Sequence, residues 1–368
     1  MMVLRFLVSG SSGFGNIRSQ YAVINHGAMH LILNTYGVLL SKDEGLFLVT
    51  TPDGKQAFPP DRVRSISIGR AARVTSDAVL LAIRYEVDLL FIDDTGMPEG
   101  RVWSIRYGSV SDIRRAQLNF FYSPDAMTWV KDILIEKLNN CIAILLAIQP
   151  EDPSELPAYN TVRFAINAIE DHRKKISDCV GDHLSDVAPS LRGWEGASAK
   201  RYFEAVNAVL PKAYRFAART RQPSTDMFNS LLNYSYGMLY GKVEGALIKA
   251  GLDPYAGIFH RDDYNRPALV FDIIERYRMW ADFVVIQLCR QQAIPPDCFS
   301  FAPDTGACML EPLGKRILIQ AVNDYLAEVI EIDGQSRSRM THIELQQHAF
   351  ASRLQAWDSG RSDKPMKL

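Results

Sequence analysis

The stretch LLNYSYGMLYGKVEGALIKAGLDPYAGIFHRDDYNRPALVFDIIERYR, residues 231–278, decides how this chain is read. Apolar residues recur at helical spacing from Leu231 to Ala250, and Gly251 with Pro254 supplies the stop. Glycine suits the left-handed cap of a helix, and a proline just beyond cannot continue it. A short connection delivers His260, a polar turn follows, and Pro267 sits where a first helical turn accepts it. The next helix carries Asp272 and Glu275 three positions apart, which predicts two carboxylates on one face, their β-carbons about 5 to 6 Å apart. An imidazole and two carboxylates then converge. A hydrogen-bonded structural histidine beside two solvated acids is the plainer account, but it sits badly with the apolar neighbours Val270, Phe271, Ile273 and Ile274.

Without a thiolate, this donor set suits Mg²⁺ or Mn²⁺ better than zinc. A phosphodiester needs such an ion, which neutralises a non-bridging oxygen and stabilises the attacking or leaving oxygen. A third ligand has to come from elsewhere in the chain. Glu195, in LRGWEGASAKRYF (191–203), is the candidate, because its flanking glycines would let another backbone or a phosphate approach closely.

Around this stretch the helical period continues through Leu118 to Ala126, Trp129 to Ala147, Tyr159 to Val180, Gly193 to Val209, Phe228 to Ala250, Ala268 to Gln292 and Pro312 to Ile332. The first hundred residues read differently. HLILNTYGVLL, GLFLVTT, RVRSISIG and VDLLFIDD are strand-like runs separated by Asp-Gly, Pro-Pro and Asp-Asp-Thr-Gly turns. One helix, TSDAVLLAIRYE, is embedded among them, with Thr75 or Ser76 as its cap. The expected class is α+β: a β-rich domain with one helix over 29–106, an all-α catalytic domain over 112–332, and a C-terminal helix and disordered tail over 333–368. Residues 1–28 read as a flexible extension or a mis-called start, with Met29 as the natural one.

At 368 residues and 47% hydrophobic content, the chain can support about two cores. No apolar run approaches the ~20 residues of a membrane span, and Arg5 interrupts the one stretch that imitates a signal peptide, so a cytoplasmic protein away from membranes is expected. Five widely spaced cysteines with no Cys-x-x-Cys suggest neither disulfides nor a zinc knuckle. The Gly10, Gly13, Gly15 series lacks the third glycine of a dinucleotide loop, since Asn16 stands there; His342 and His348 are six apart, not the four of a zinc-protease helix. The net charge of −1 gives no general affinity for nucleic acid. A local patch does: Arg192, Lys200, Arg201, Lys212, Arg215, Arg219 and Arg221 face only Glu195 and Glu204 in their segment. A solvated helix face would show the same composition.

At these residues the sequence resembles the CRISPR-associated endonuclease and integrase of the spacer-acquisition step, the larger of the two near-universal adaptation proteins. LNTYGVLL and GMPEGRVW resemble the family's β domain, GWEGASAKRYF its first metal motif, and the stretch from Leu231 to Arg278 its central signature. The resemblance implies that Glu195, His260 and Glu275 bind the metal, with Glu275 where other members often carry Asp. It implies that Asp272 binds a second ion or orients the site, and that Tyr240 lies near the DNA. It further implies homodimers through the β domain, a heterocomplex with a small companion adaptation protein, and two DNA substrates, a short duplex fragment and the CRISPR repeat. The implied reaction is attack by a fragment's 3′-hydroxyl on a repeat-edge phosphodiester, with water in its place giving nuclease activity. A catalytically silent subunit that holds DNA ends, and a hydrolase of small phosphoesters, are the competing readings.

Overall fold

A computed structural model of the chain describes residues 22–25, 28–33, 35–52, 54–92, 98–102, 110–151, 156–221, 223–260, 266–332 and 334–360. The N-terminal part contains β1 (Ala22–Asn25), β2 (Ala28–Leu33), β3 (Leu39–Asp43), β4 (Leu46–Thr51), β5 (Gly54–Phe58), β6 (Val63–Gly69), β7 (Arg73–Val74), α1 (Ser76–Arg84), β8 (Asp88–Ile92) and β9 (Pro98–Val102). One sheet runs β1-β2-β6-β8-β9, with β2, β6 and β8 parallel and the two edge strands antiparallel; a second runs β5-β4-β3-β7. Among the described residues, strand content therefore starts at Ala22, upstream of Met29. The glycine series near Gly10 and most of the expected extension lie outside the described residues.

The embedded helix forms as expected, with the Thr75 hydroxyl accepting from the Ala78 amide. It makes β6-α1-β8 a crossover unit that joins parallel strands. Leu31, Leu33, Ile66, Ile68 and Leu89 are buried in the core of this half, packed with Ala78, Leu81 and Ala82 of α1. Ile32, Leu90 and Ile92 alternate to the other side, where they meet Tyr234, Met238 and Ile319 of the helical half.

Helices follow: α2 (Val110–Phe121), α3 (Asp125–Ile148), α4 (Leu156–Asp178), α5 (Leu184–Val209), α6 (Met227–Lys249), α7 (Ala268–Ile274) and α8 (Arg278–Arg290). After them come the hairpin β10 (Phe299–Phe301) and β11 (Cys308–Leu310), α9 (Pro312–Ala327), the hairpin β12 (Val329–Ile332) and β13 (Gln335–Ser338), and α10 (Arg339–Asp358). The helical half is thus not purely helical, since two small hairpins interrupt it. Pro124 divides the expected Leu118 to Ala126 helix into α2 and α3, and the end of the expected Pro312 to Ile332 helix is the strand β12. The expected Ala268 to Gln292 helix breaks at Glu275 to Tyr277, where the Arg276 and Tyr277 amides turn back to the Ile273 and Ile274 carbonyls. No glycine or proline marks that break.

The long α6 runs through the helical core and is buried on most sides. Asp226 caps its start through the Asn229 amide. At its end Gly251 adopts φ +81°, and the Gly251 and Leu252 amides close on the Ile248 and Leu247 carbonyls, the glycine-terminated end that the sequence predicts. On its flank Gly245 admits the Arg101 side chain of β9: a Cβ there would collide with the guanidinium. Arg101 also pairs with Asp88 of β8, and both side chains are largely buried. Burial pushes the Asp88 carboxyl up, but Arg101, Lys249 and Lys242 outweigh it and hold the group below its usual range.

This contact couples the two halves. Arg101→Ala is expected to cost about 3 kcal/mol in urea unfolding, because it strands the buried Asp88 carboxylate. Gly245→Ala, which expels the same guanidinium, should destabilise the wild-type chain yet stabilise the Arg101→Ala chain by up to ~1 kcal/mol through helix propensity. Additive effects of the two substitutions would refute the coupling.

Candidate metal centre and its cleft

Asp272, on α7, organises the loop that carries His260. Its carboxylate accepts from the backbone amides of Ile258 (2.6 Å), Phe259 (3.1 Å) and His260 (2.9 Å), and lies 2.7 Å from His260 Nδ1. An ionised carboxylate only accepts, so Nδ1 carries the hydrogen and Nε2 keeps its lone pair for another partner. Three further contacts hold the same loop. Gln117 of α2 donates to the Asp253 and Ala256 carbonyls and accepts from the Asp253 amide; Arg192 of α5 donates to the Phe259 carbonyl at 2.7 Å and lies over the Phe259 ring. Gly257 permits the closure, since a Cβ there would strike Ala268 and the His260 carbonyl.

Glu275 stands just beyond the end of α7 with 4% of its side chain exposed. It shares the border of a small cavity with His260 and Asp272, and the wall of a larger cleft with Glu195. Between the two glutamates sits the ammonium of Lys137, from α3. It hydrogen-bonds Glu195 Oε1 and approaches Glu275 Oε2 at 2.6 Å. The ammonium is thus the near neighbour of Glu275 Oε2 as well as of Glu195 Oε1. Arg278 reaches the other oxygen at 3.1 Å. Burial pushes the Glu275 carboxyl up, yet Arg278 and Lys137 outweigh it and bring it down to about 2. Burial likewise opposes the Lys137 charge, and Glu275 and Glu195 hold it above the usual lysine range.

Lys137 therefore joins Glu195 to Glu275, and Glu275 in turn borders a small cavity with His260, so that the three do not form a ready-made cage. Among the described residues no three His, Cys, Asp or Glu side chains already stand in metal-holding geometry. The donor set still fits a hard divalent cation: two glutamate oxygens already share one cation, and the histidine beside Glu275 is held through Nδ1 alone. Asp272 has a different place from the one its spacing suggests. Although three residues from Glu275, it is consumed by the His260 loop.

The cleft beside the glutamates encloses about 600 Å³ and runs along α5, α6 and α8. Gly196 and Ala199 of α5 line one side, Tyr240 and Phe271 another, with ring centroids 5.3 Å apart. A Cβ at Gly193 or Gly196 would meet nothing within 4 Å, so no second backbone approaches those glycines and the space beside them is open. Burial and Glu244 push the Tyr240 hydroxyl well above its usual range.

The basic segment divides. Arg219 and Arg221 line the cleft, joined there by Arg266 and Arg278. Arg219 also bonds Asn229 and Asn233 and lies over the rings of Phe203 and Tyr236. Arg192 is spent on the His260 loop, and Arg215 on the Leu210 and Ala208 carbonyls at the end of α5. Arg201 pairs with Glu204 and lies over Phe164 of α4, while Lys200 and Lys212 are exposed. Sequence reading missed Lys137, Gln117 and Arg278. Only Arg278 carries a local signal, three residues after Glu275; Lys137 and Gln117 act across long separations that no spacing reveals.

The family model for CRISPR associated protein Cas1 matches residues 31–324. The chain is 29% identical over 321 residues to the CRISPR-associated endonuclease Cas1 1 of Archaeoglobus fulgidus, covering 84% of this chain and 91% of that protein. It is 35% identical over 285 residues to the protein of the same name from Methanospirillum hungatei, covering 75% and 81%. Its fold matches a casposase bound to integration product, with TM-score 0.76, 22% identity, and 91% and 92% of the two chains covered. With a family model spanning most of the β-rich half and most of the helical half, the residues of the cleft included, the chain belongs to the CRISPR-associated Cas1 family.

Proposed function

We propose that this chain is a divalent-metal-dependent DNA endonuclease and integrase that inserts short duplex fragments into a CRISPR repeat. The observation that carries the reading is the convergence of Glu195 and Glu275 on a single cation at the head of a cleft, beside a histidine whose free nitrogen is set by Asp272. Glu195, Glu275 and His260 would hold Mg²⁺ or Mn²⁺, which neutralises charge on the reacting phosphate. Asp272 keeps the imidazole oriented and in the tautomer that can ligate. Arg278 keeps Glu275 ionised despite its burial. Arg219, Arg221 and Arg266 give the cleft a cationic wall for the phosphate backbone, and the Tyr240 and Phe271 rings offer bases a stacking surface.

In the integration step, the 3′-oxygen of the incoming fragment forms a bond to phosphorus at the repeat edge and gives up its proton. The bond to the neighbouring nucleotide's 3′-oxygen breaks, and that oxygen takes up a proton. Water in place of the attacking hydroxyl makes the same geometry a nuclease. A second copy docked through the β-rich half, where Tyr36, Leu80 and Tyr85 are exposed, and the small companion adaptation protein complete the proposed assembly. Among the described residues no helix is long and apolar enough to cross a membrane.

The test is joining of a short duplex with free 3′-hydroxyls to a supercoiled plasmid carrying a repeat, with Mn²⁺ or Mg²⁺ and the companion protein. Glu195→Ala, His260→Ala and Glu275→Ala are each expected to lower joining at least about 100-fold, and Asp272→Asn about 10- to 100-fold. Undiminished joining by the first three would show that the proposed site is wrong. For binding, Arg221→Ala should weaken DNA affinity and flatten its logarithmic salt dependence by about 1, whereas Lys200→Ala with Arg201→Ala, outside the cleft, should change it less. The reverse order would place the DNA on the outer face of α5.

A further inference from the structure

Lys137 occupies the position that a metal ion would claim. We infer that it is a built-in counter-cation, which holds Glu195 and Glu275 together in the metal-free protein and which a divalent ion must displace to bind. The inference rests on the metal-centre reading above and concerns how loading of that centre is controlled.

The geometry leaves little room for both cations. The ammonium contacts one oxygen of each glutamate, and its side chain is 14% exposed, between Glu275 at 4% and Glu195 at 19%. A divalent ion bound by Glu195 and Glu275 needs those same oxygens, and two cations at one position repel. Lysine suits the exchange. Its charge is a compact point on a flexible four-carbon stem, able to leave one pair of oxygens without dismantling a rigid fork, as arginine would have to. Lys137 also lines the cleft, so the displaced ammonium has a solvated volume to enter.

Two consequences oppose each other. Without Lys137, the metal-free protein has two glutamates facing one position with no cation between them, one of them buried and left to Arg278 for its ion pair. The metal-free fold is then weaker. The metal, however, no longer competes with a tethered charge, so it binds more tightly. A lysine that merely supported the fold would show the first effect alone.

The experiment measures Mn²⁺ binding to the full chain by titration calorimetry, and melting temperature in EDTA and in Mn²⁺, for the wild type, Lys137→Met, Lys137→Arg and Glu195→Gln. Lys137→Met is expected to bind Mn²⁺ about ten-fold or more tightly than the wild type. It should melt roughly 5 °C or more lower in EDTA, and gain more from Mn²⁺ than the wild type does. Lys137→Arg keeps the charge and should bind Mn²⁺ no more tightly than the wild type, which serves as the control where Lys137→Met folds poorly: tighter binding by the arginine variant overturns the inference. Equal or weaker Mn²⁺ binding by Lys137→Met, with wild-type binding intact and abolished by Glu195→Gln, overturns the counter-cation while leaving the metal centre standing. Absence of Mn²⁺ binding in both the wild type and Lys137→Met overturns both.

Discussion

Glu275 puts a carboxylate where α3, α5 and the α7–α8 turn meet, almost out of reach of water. A charge in that position has to be matched, and breaking a buried pair by removing one partner costs about 3 to 5 kcal/mol. The match comes from two directions. Arg278 supplies it locally, from the first turn of α8, and Lys137 supplies it from α3. Because Lys137 also binds Glu195 on α5, neutralising one carboxylate draws a second into the same place.

A second carboxylate three residues earlier does different work. Asp272 is buried too, but it is satisfied by three backbone amides and an imidazole rather than by cations. Four donors to one carboxylate fix a loop that has no secondary structure of its own. With Gln117 and Arg192 adding contacts from α2 and α5, His260 is delivered to the site on a rigid mount. Two acids at neighbouring positions thus separate into one that builds the histidine's support and one that faces the cation.

The β-rich half contributes to this arrangement through α6. Its mixed sheet buries one face under α1 and turns the other toward α6 and α9, and Arg101 crosses the boundary to lie on α6 at Gly245. Since α6 leads directly into the loop of His260 and also lines the cleft with Tyr240, the contact that docks the two halves is made by the same helix that frames the site.

The sequence by itself determined the class of fold, the capped end of α6, the proline-led start of α7 and the nearness of His260, Asp272 and Glu275 to one another, because each is written in local spacing and in residues with few backbone choices. The resemblance to a known family added Glu195 and the name of the chemistry. Tertiary structure alone decided how those residues divide their roles. Lys137 and Glu195 are 58 positions apart, and Gln117 reaches Asp253 across 136, separations at which helical periodicity carries no information. The same limit explains the basic segment. Its composition is one run of arginines and lysines, but whether each side chain meets the cleft, a helix end or solvent depends on what packs beside α5, and only the folded chain specifies that.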